Sequence, residues 1–183
     1  MDKEKELEKL NKEIRNCRKC LLYKERKNAV PGEGPANARI MAIGQAPGRE
    51  EDRTGRPFIG RAGKLLTWLL EIAGIKREKV FITSVAKCFP PGNRKPSEKE
   101  IAASLPYLKK QINIINPRRI ILLGDVAFSV FFPGKKMGQF RGKIMKKDSR
   151  DFFISYHPAA GIRFVKFKKI LEKDFKKLRA IKF

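Results

Sequence analysis

Residues 44–63, GQAPGREEDRTGRPFIGRAG, follow the apolar run Ile40-Met41-Ala42-Ile43 and lead into a stretch of helical periodicity near Leu65 to Ile72. The run reads as a buried strand and the stretch as an amphipathic helix. Between them, five glycines and two prolines fall within twenty residues. Glycine lets a backbone approach a ligand closely, while Pro47 and Pro57 stiffen its path. A strand that breaks into such a loop and re-enters a helix places it at the carboxyl edge of a sheet, where open α/β folds bind ligands. Connections of this length are usually functional.

Working outward, strands and helices alternate. Strand Ile40–Ile43 precedes helix Ala62–Ala73, and strand Val80–Val85 precedes helix Ser97–Ile115. Strand Arg119–Leu123 precedes helix Val126–Phe132, and strand Phe152–Ser155 precedes helix Phe164–Ile181. Strands separated by helices of this length predict an α/β fold with a mostly parallel sheet. Ser97 and Glu100 have the spacing of a capping box. Residues 2–16 read as a charged helix, residues 24–38 as a loop, and Gly134 to Asp148 as a weaker hairpin or irregular stretch. The unusual loops begin where strands end: at Gly44, after Ser84, at Gly124 and at Tyr156-His157-Pro158. In a parallel sheet those ends share one rim and surround one crevice.

Composition narrows the partners. The chain has 183 residues, the length of one domain, with 43 Lys and Arg against 19 Asp and Glu, a net charge of +24. A folded domain this basic repels itself unless it meets a polyanion, which makes nucleic acid the leading partner. An acidic membrane surface is the rival, but no segment approaches the roughly 18 apolar residues of a spanning helix. A lysine-rich surface of the heat-adapted kind would carry balancing glutamate, and this one does not. Residues 1–10 are charged rather than apolar, so no secretory signal is expected and the reading is cytoplasmic. Three cysteines in that setting point to metal or redox use rather than disulfides.

Three further motifs carry chemistry. His157, the sole histidine, sits at a strand end before Pro158 and a small-residue loop, placed to face the crevice. The loop from Lys87 to Pro96, KCFPPGNRKP, presets an extended backbone and presents cations, Arg94 and Lys95 among them, where phosphates are held. Cys17-Arg18-Lys19-Cys20 is a CxxC, and with Cys88 far downstream it suggests thiolate ligation of zinc or an iron–sulfur cluster, tying the N-terminal 22 residues to the domain. Glu50, Glu51 and Asp52 form an acidic run that is either a solvated face or a device for positioning a water.

Taken together, GQAPGREEDRTGRPFIGRAG, KCFPPGNRKP, the His157-Pro158 loop and the upstream CxxC resemble the family-4 uracil-DNA glycosylases, the iron–sulfur branch of that superfamily, over nearly the whole chain. The resemblance implies a three-layer αβα sandwich around a four-stranded parallel sheet, a pocket for a flipped base, DNA as partner of a monomer, and a [4Fe–4S] cluster far from the chemistry. It implies that Gly44, Gln45, Ala46 and Gly48 meet the base and the attacking water, that Phe58 stacks on uracil, and that His157 hydrogen-bonds it. It places Glu51 and Asn93 in motifs tied to activity, and has the loop with Ala159, Ala160 and Arg163 enter the DNA. The cluster ligands would be Cys17, Cys20, Cys88 and the residue at Ser104.

The sequence departs from the family pattern at three points. Gln45 stands where the family has glutamate, so a carboxylate becomes an amide. Ser84 stands where an asparagine reads the uracil edge, and a hydroxyl offers fewer directed hydrogen bonds than a carboxamide. Ser104 stands where the fourth cluster cysteine falls. These departures leave two rivals: a glycosylase retuned to hypoxanthine or xanthine, and a DNA-binding module of the same fold with weakened catalysis.

Overall fold

The computed structural model describes residues 2–180. Its centre is a sheet whose alternate side chains feed two separate cores. Strands β1 (Ile40–Gly44), β2 (Val80–Ser84) and β3 (Arg119–Leu123) are buried along their whole length, as parallel strands covered on both faces must be. β1 pairs in parallel with β2 on one side and β3 on the other. β3 then pairs in parallel with β5 (Arg150–Ser155).

One face buries Met41, Ile43, Ile120, Leu122, Phe152 and Ile154 against α1 (Lys3–Arg15), α4 (Glu98–Ile115) and α5 (Asp125–Phe131). The opposite face buries Ile40, Ala42, Ile121, Leu123 and Phe153 against α3 (Arg61–Ile72) and α7 (Val165–Ala180). Period-two alternation of the strands thus produces the αβα layering. Two short helices, α2 (Arg49–Thr54) and α6 (Pro158–Arg163), lie within segments read from sequence as loops.

The sheet has five strands, not four, in the order β2-β1-β3-β5-β4. The added strand, β4 (Ile144–Lys147), comes from the stretch read as a weak hairpin or irregular, and it pairs antiparallel with β5. Asp148 and Ser149 turn the chain with φ of 49° and 59°, the positive values that a two-residue hairpin turn demands. Lysines 146 and 147 leave this edge charged and exposed, which blocks further strand pairing. Element limits otherwise shift by one or two residues, the usual fraying. α4 starts as expected, with Ser97 Oγ accepting from the Glu100 N–H and the Glu100 carboxylate from the Ser97 N–H at 2.7 Å. Ile181, the expected end of the last helix, lies outside the described residues.

The connection from β1 leaves toward β2, and β3 stands on β1's other side. The strand order therefore reverses at the carboxyl ends of β1 and β3, where a crevice opens in folds of this kind.

Candidate active site

At that crevice β1 ends in Gly44 for a steric reason. A Cβ there would lie 2.5 Å from Phe58 Cζ and 3.4 Å from His157 Nε2. Phe58 itself adopts φ +49°, which is strained for an aromatic residue. It is held there by α3: a Cβ on Gly63 would overlap the Phe58 carbonyl. The Phe58 and His157 rings stack with centroids 5.6 Å apart and planes 30° from parallel. Gly124, at the end of β3, presses on the other flank of His157, its missing Cβ leaving room for the imidazole Cβ. Loops from β1, β3 and β5 thus converge on one aromatic pair.

The histidine's protonation follows from its contacts. His157 is the N-cap of α6, and its Nδ1 accepts the Ala159 N–H at 3.1 Å. An acceptor nitrogen carries no proton, so the neutral ring bears its hydrogen on Nε2. That nitrogen faces Gly44 and the phenyl ring. Part of the residue reaches the surface, but the ring is packed in, and burial lowers its pKa to about 4 against the opposing pull of Glu51. The group is a neutral N–H donor through the physiological range.

The cavity beside this pair has a volume of about 100 Å³, well below the roughly 300–1,000 Å³ of sites that enclose drug-sized ligands. Ala46, Gly48, Phe58, Ser84, Asn93 and His157 line it, together with Pro47, Pro57 and Ala159. Gln45 is not among the lining residues; its backbone carbonyl accepts from the Ala86 N–H at 3.0 Å. Glu51 reaches the wall, yet its carboxylate is spent on the loop: Oε2 accepts from Gly48 N–H at 3.0 Å, and Oε1 from Ile59 and Gly60 N–H at 2.9 Å each. The start and the far end of the β1–α3 connection are thereby stapled to one side chain. Asn93, at φ +59°, stands at the mouth.

Two contributors differ from expectation: Val30 was not singled out, and Lys87, expected among the phosphate-facing cations of its loop, is buried instead. Val30 forms part of the cavity wall and bonds through its N–H to the Lys87 carbonyl at 2.7 Å. The Lys87 ammonium is fully buried and donates to Thr83 Oγ1, the Ser84 carbonyl and Gln111 Oε1 at 2.7, 2.8 and 2.7 Å. Gln111 and Thr83 in turn donate to the Pro31 carbonyl. One lysine thus braces two walls of the pocket, and burial lowers its pKa to about 7. No local pattern marks a lysine as buried; in the linear chain Lys87 is one cation among 43.

The stretch of sequence that builds this constellation matches a known family. A family model described as the uracil DNA glycosylase superfamily matches residues 31–179. The chain belongs to the uracil-DNA glycosylase superfamily. Its relatives place it on the type-4 branch. It is 47% identical to a type-4 uracil-DNA glycosylase of Sulfurisphaera tokodaii, over 96% of this chain and 84% of that one. It is 49% identical to one from Saccharolobus solfataricus, over 91% and 82%, and 45% identical to one from Pyrobaculum aerophilum, over 97% and 93%.

Other residues expected from the superfamily fall into two groups. Arg94 commits its guanidinium to Glu100, with bonds of 2.7 and 2.8 Å, and this holds the Glu100 carboxyl down at about 2. Lys95, Ala159 and Arg163 are exposed and Ala160 is half-buried. The three cysteines gather around Tyr107, with Cys88 buried and Cys17 and Cys20 half-buried. Cys88 Sγ accepts from Arg26 Nη1 at 3.1 Å and Cys17 Sγ from the Lys19 N–H at 3.5 Å. Ser104 is buried on α4, one turn before Tyr107. Among the described residues, no three His, Cys, Asp or Glu side chains are placed to hold a single metal ion. No helix among them is long and apolar enough to cross a membrane.

Proposed function

We propose that this chain excises uracil from DNA by hydrolysing its N-glycosidic bond, acting as one domain and as a monomer. The observation that carries the reading is the stacked Phe58–His157 pair lining a small cavity, with the imidazole Nε2 on the side of Gly44. Chemistry on a base requires extruding it from the stack, at a cost of a few kcal/mol. Phe58 receives the extruded ring face-on. As the C1′–N bond breaks, its electron pair moves into the base and the sugar becomes cationic. His157 Nε2–H donates to the base oxygen where the negative charge collects. A preorganised donor of this type is worth on the order of 10²–10³ in rate. Water then adds to C1′, and its proton passes to the base anion, so that neutral uracil leaves and the sugar carries the hydroxyl. With Glu51 occupied by three backbone amides, the work of holding that water falls to the Asn93 carboxamide at the pocket mouth. Gln45 acts through its backbone, and Gly44, Ala46 and Gly48 give the base close access to the loop.

The cavity is small, and a pyrimidine needs less room in it than the two fused rings of hypoxanthine or xanthine. Ser84 takes the place of the family's asparagine as the edge-reading group, with one hydroxyl instead of an amide. The donor set of Cys17, Cys20 and Cys88 fits an iron–sulfur cluster: three thiols around one aromatic residue, with N–H groups already directed at two sulfurs, as such clusters use. Ser104 supplies an oxygen at the fourth position. When bound, the cluster would fasten the N-terminal segment to α4 and the β2–α4 loop.

The test is a release assay on oligonucleotides carrying uracil or hypoxanthine, in single and double strands. Uracil release is the expected result. Hypoxanthine release with uracil untouched would identify a retuned pocket, and binding without release of either base would identify a binding module.

A further inference from the structure

Behind the wall of the base pocket lies a charge without a counter-ion. Lys87, Thr83, Ser84 and Gln111 are all buried, so bulk water does not reach the Lys87 Nζ. That nitrogen donates to the Thr83 hydroxyl oxygen at 2.7 Å, the Ser84 carbonyl at 2.8 Å and Gln111 Oε1 at 2.7 Å. All three act as acceptors toward it. The Thr83 hydroxyl sends its own hydrogen to the Pro31 carbonyl at 2.7 Å, and the Gln111 amide N–H goes there at 2.8 Å, which turns Oε1 to the lysine. Three acceptors require three hydrogens, and only the ammonium supplies them; a neutral amine would aim its lone pair at an oxygen. These bonds hold the charge on Lys87 against the burial that lowers its pKa.

Among the described residues, no carboxylate stands beside that ammonium. A buried charge ordinarily has a partner of opposite sign, because removing it from water is costly. Neutral oxygens orient an ammonium but leave its charge uncancelled. The direction in which that charge acts follows from its neighbours. Ser84, whose carbonyl the ammonium holds, lines the base cavity. So does Val30, whose N–H donates to the Lys87 carbonyl at 2.7 Å. The positive charge is therefore one residue behind the wall, and on the other side of that wall the departing base becomes negative.

We propose that Lys87 is a positioning residue whose fixed charge, acting through the Ser84 wall, stabilises the base anion as the glycosidic bond breaks. The proposal rests on the glycosylase reading of the pocket. When the C1′–N bond opens, its electron pair passes to the base. Lys87 keeps its three hydrogens and forms no bond to the base, while His157 supplies the direct hydrogen bond. A charge already in place in a water-excluded site acts without reorganisation. Its attraction for the neutral bound base is weaker than for the anion, so its effect falls on bond breaking rather than on binding.

The test compares release of uracil and of 5-fluorouracil by the full chain, in single turnovers on single-stranded oligonucleotides of one sequence. The buffer is held at about pH 6, below the value of about 7 for Lys87 and above that of about 4 for His157. Fluorine makes the departing base a more stable anion and adds little bulk, so its release leans less on an outside charge. Lys87→Met and Lys87→Gln remove the charge, and the glutamine still offers N–H donors to the same oxygens. Gln111→Leu loosens the same brace but keeps the charge. Both neutral variants are expected to lose about tenfold on uracil, less than the loss of a donor in direct contact, and about threefold or less on 5-fluorouracil. Gln111→Leu should slow the two bases alike. Because the readout is a ratio within one preparation, partial unfolding scales both rates and leaves it unmoved. Equal losses on the two bases in both neutral variants overturn the proposal and leave Lys87 a brace only. Release of neither base by wild type sinks the glycosylase reading, and this proposal with it.

Discussion

With its Nδ1 lone pair committed to the Ala159 N–H, the neutral His157 has one tautomer available, and its Nε2 lies toward Gly44. Replacing it by alanine is expected to lower uracil release at least tenfold, on the scale of lost preorganised donors; undiminished release would remove the residue from the mechanism. Its folded pKa of about 4 lies below the ordinary 6.5. The folded protein therefore resists a proton that the unfolded chain accepts. The histidine's contribution to stability is complete above pH 6.5 and is lost as pH falls toward about 4. Thermal melts from pH 7.5 to 4.5 should show a decline in wild type that is smaller in His157→Ala. Equal declines would mean that the imidazole is not kept neutral by the fold. A lone histidine after a strand was legible in the sequence as a site residue. Its tautomer was not, because that depends on the turn of α6, a helix the small-residue loop did not advertise.

The loop between β1 and α3 shows what an element can conceal. From sequence, Glu51 reads as a water-positioning carboxylate or a member of a solvated acidic face; in the fold it bonds the backbone at Gly48, Ile59 and Gly60. Glu51→Gln keeps the shape but replaces one acceptor oxygen by a donor and removes the charge. We expect a stability loss of about 1–3 kcal/mol, the cost of unsatisfied buried amides, together with reduced release. Lost release at unchanged melting temperature would return Glu51 to the water. Similarly, Lys87→Met strands the Ser84 carbonyl, Thr83 and Gln111 acceptors, and should cost about 1–3 kcal/mol by the same reasoning; a melting curve like wild type's would show the brace to be dispensable. Strands β1, β2, β3 and β5 were legible because continuous apolar runs mean burial on both faces. β4 was not, because its half-exposed run Ile144-Met145-Lys146-Lys147 has no clean alternation, and the turn that makes it a strand is carried by Asp148-Ser149 rather than by a glycine.

Across the whole molecule, a net charge of +24 acts on the folded state by self-repulsion. The melting temperature is therefore expected to rise as salt increases from about 10 mM to about 150 mM, over which the screening length falls from roughly 30 to roughly 8 Å. A short polyanion should raise it at lower concentration still. A melting temperature indifferent to both would mean that the charge is already balanced locally. The cysteine site lends itself to a separate check, because Ser104 sits buried one turn from Tyr107. Ser104→Cys should raise the iron retained per chain and the visible absorbance. Unchanged iron content would exclude position 104 from ligation. The sequence pattern made the convergence of four strand ends legible, since a parallel sheet leaves little choice.

The hole at Gly63 has a consequence for descent. A stacking ring held on a left-handed residue, with its carbonyl where a methyl would stand, ties two distant choices into one. A lineage can abandon that aromatic plate or keep that vacancy, but it cannot fill the vacancy first, so any side chain at position 63 must follow a change at position 58.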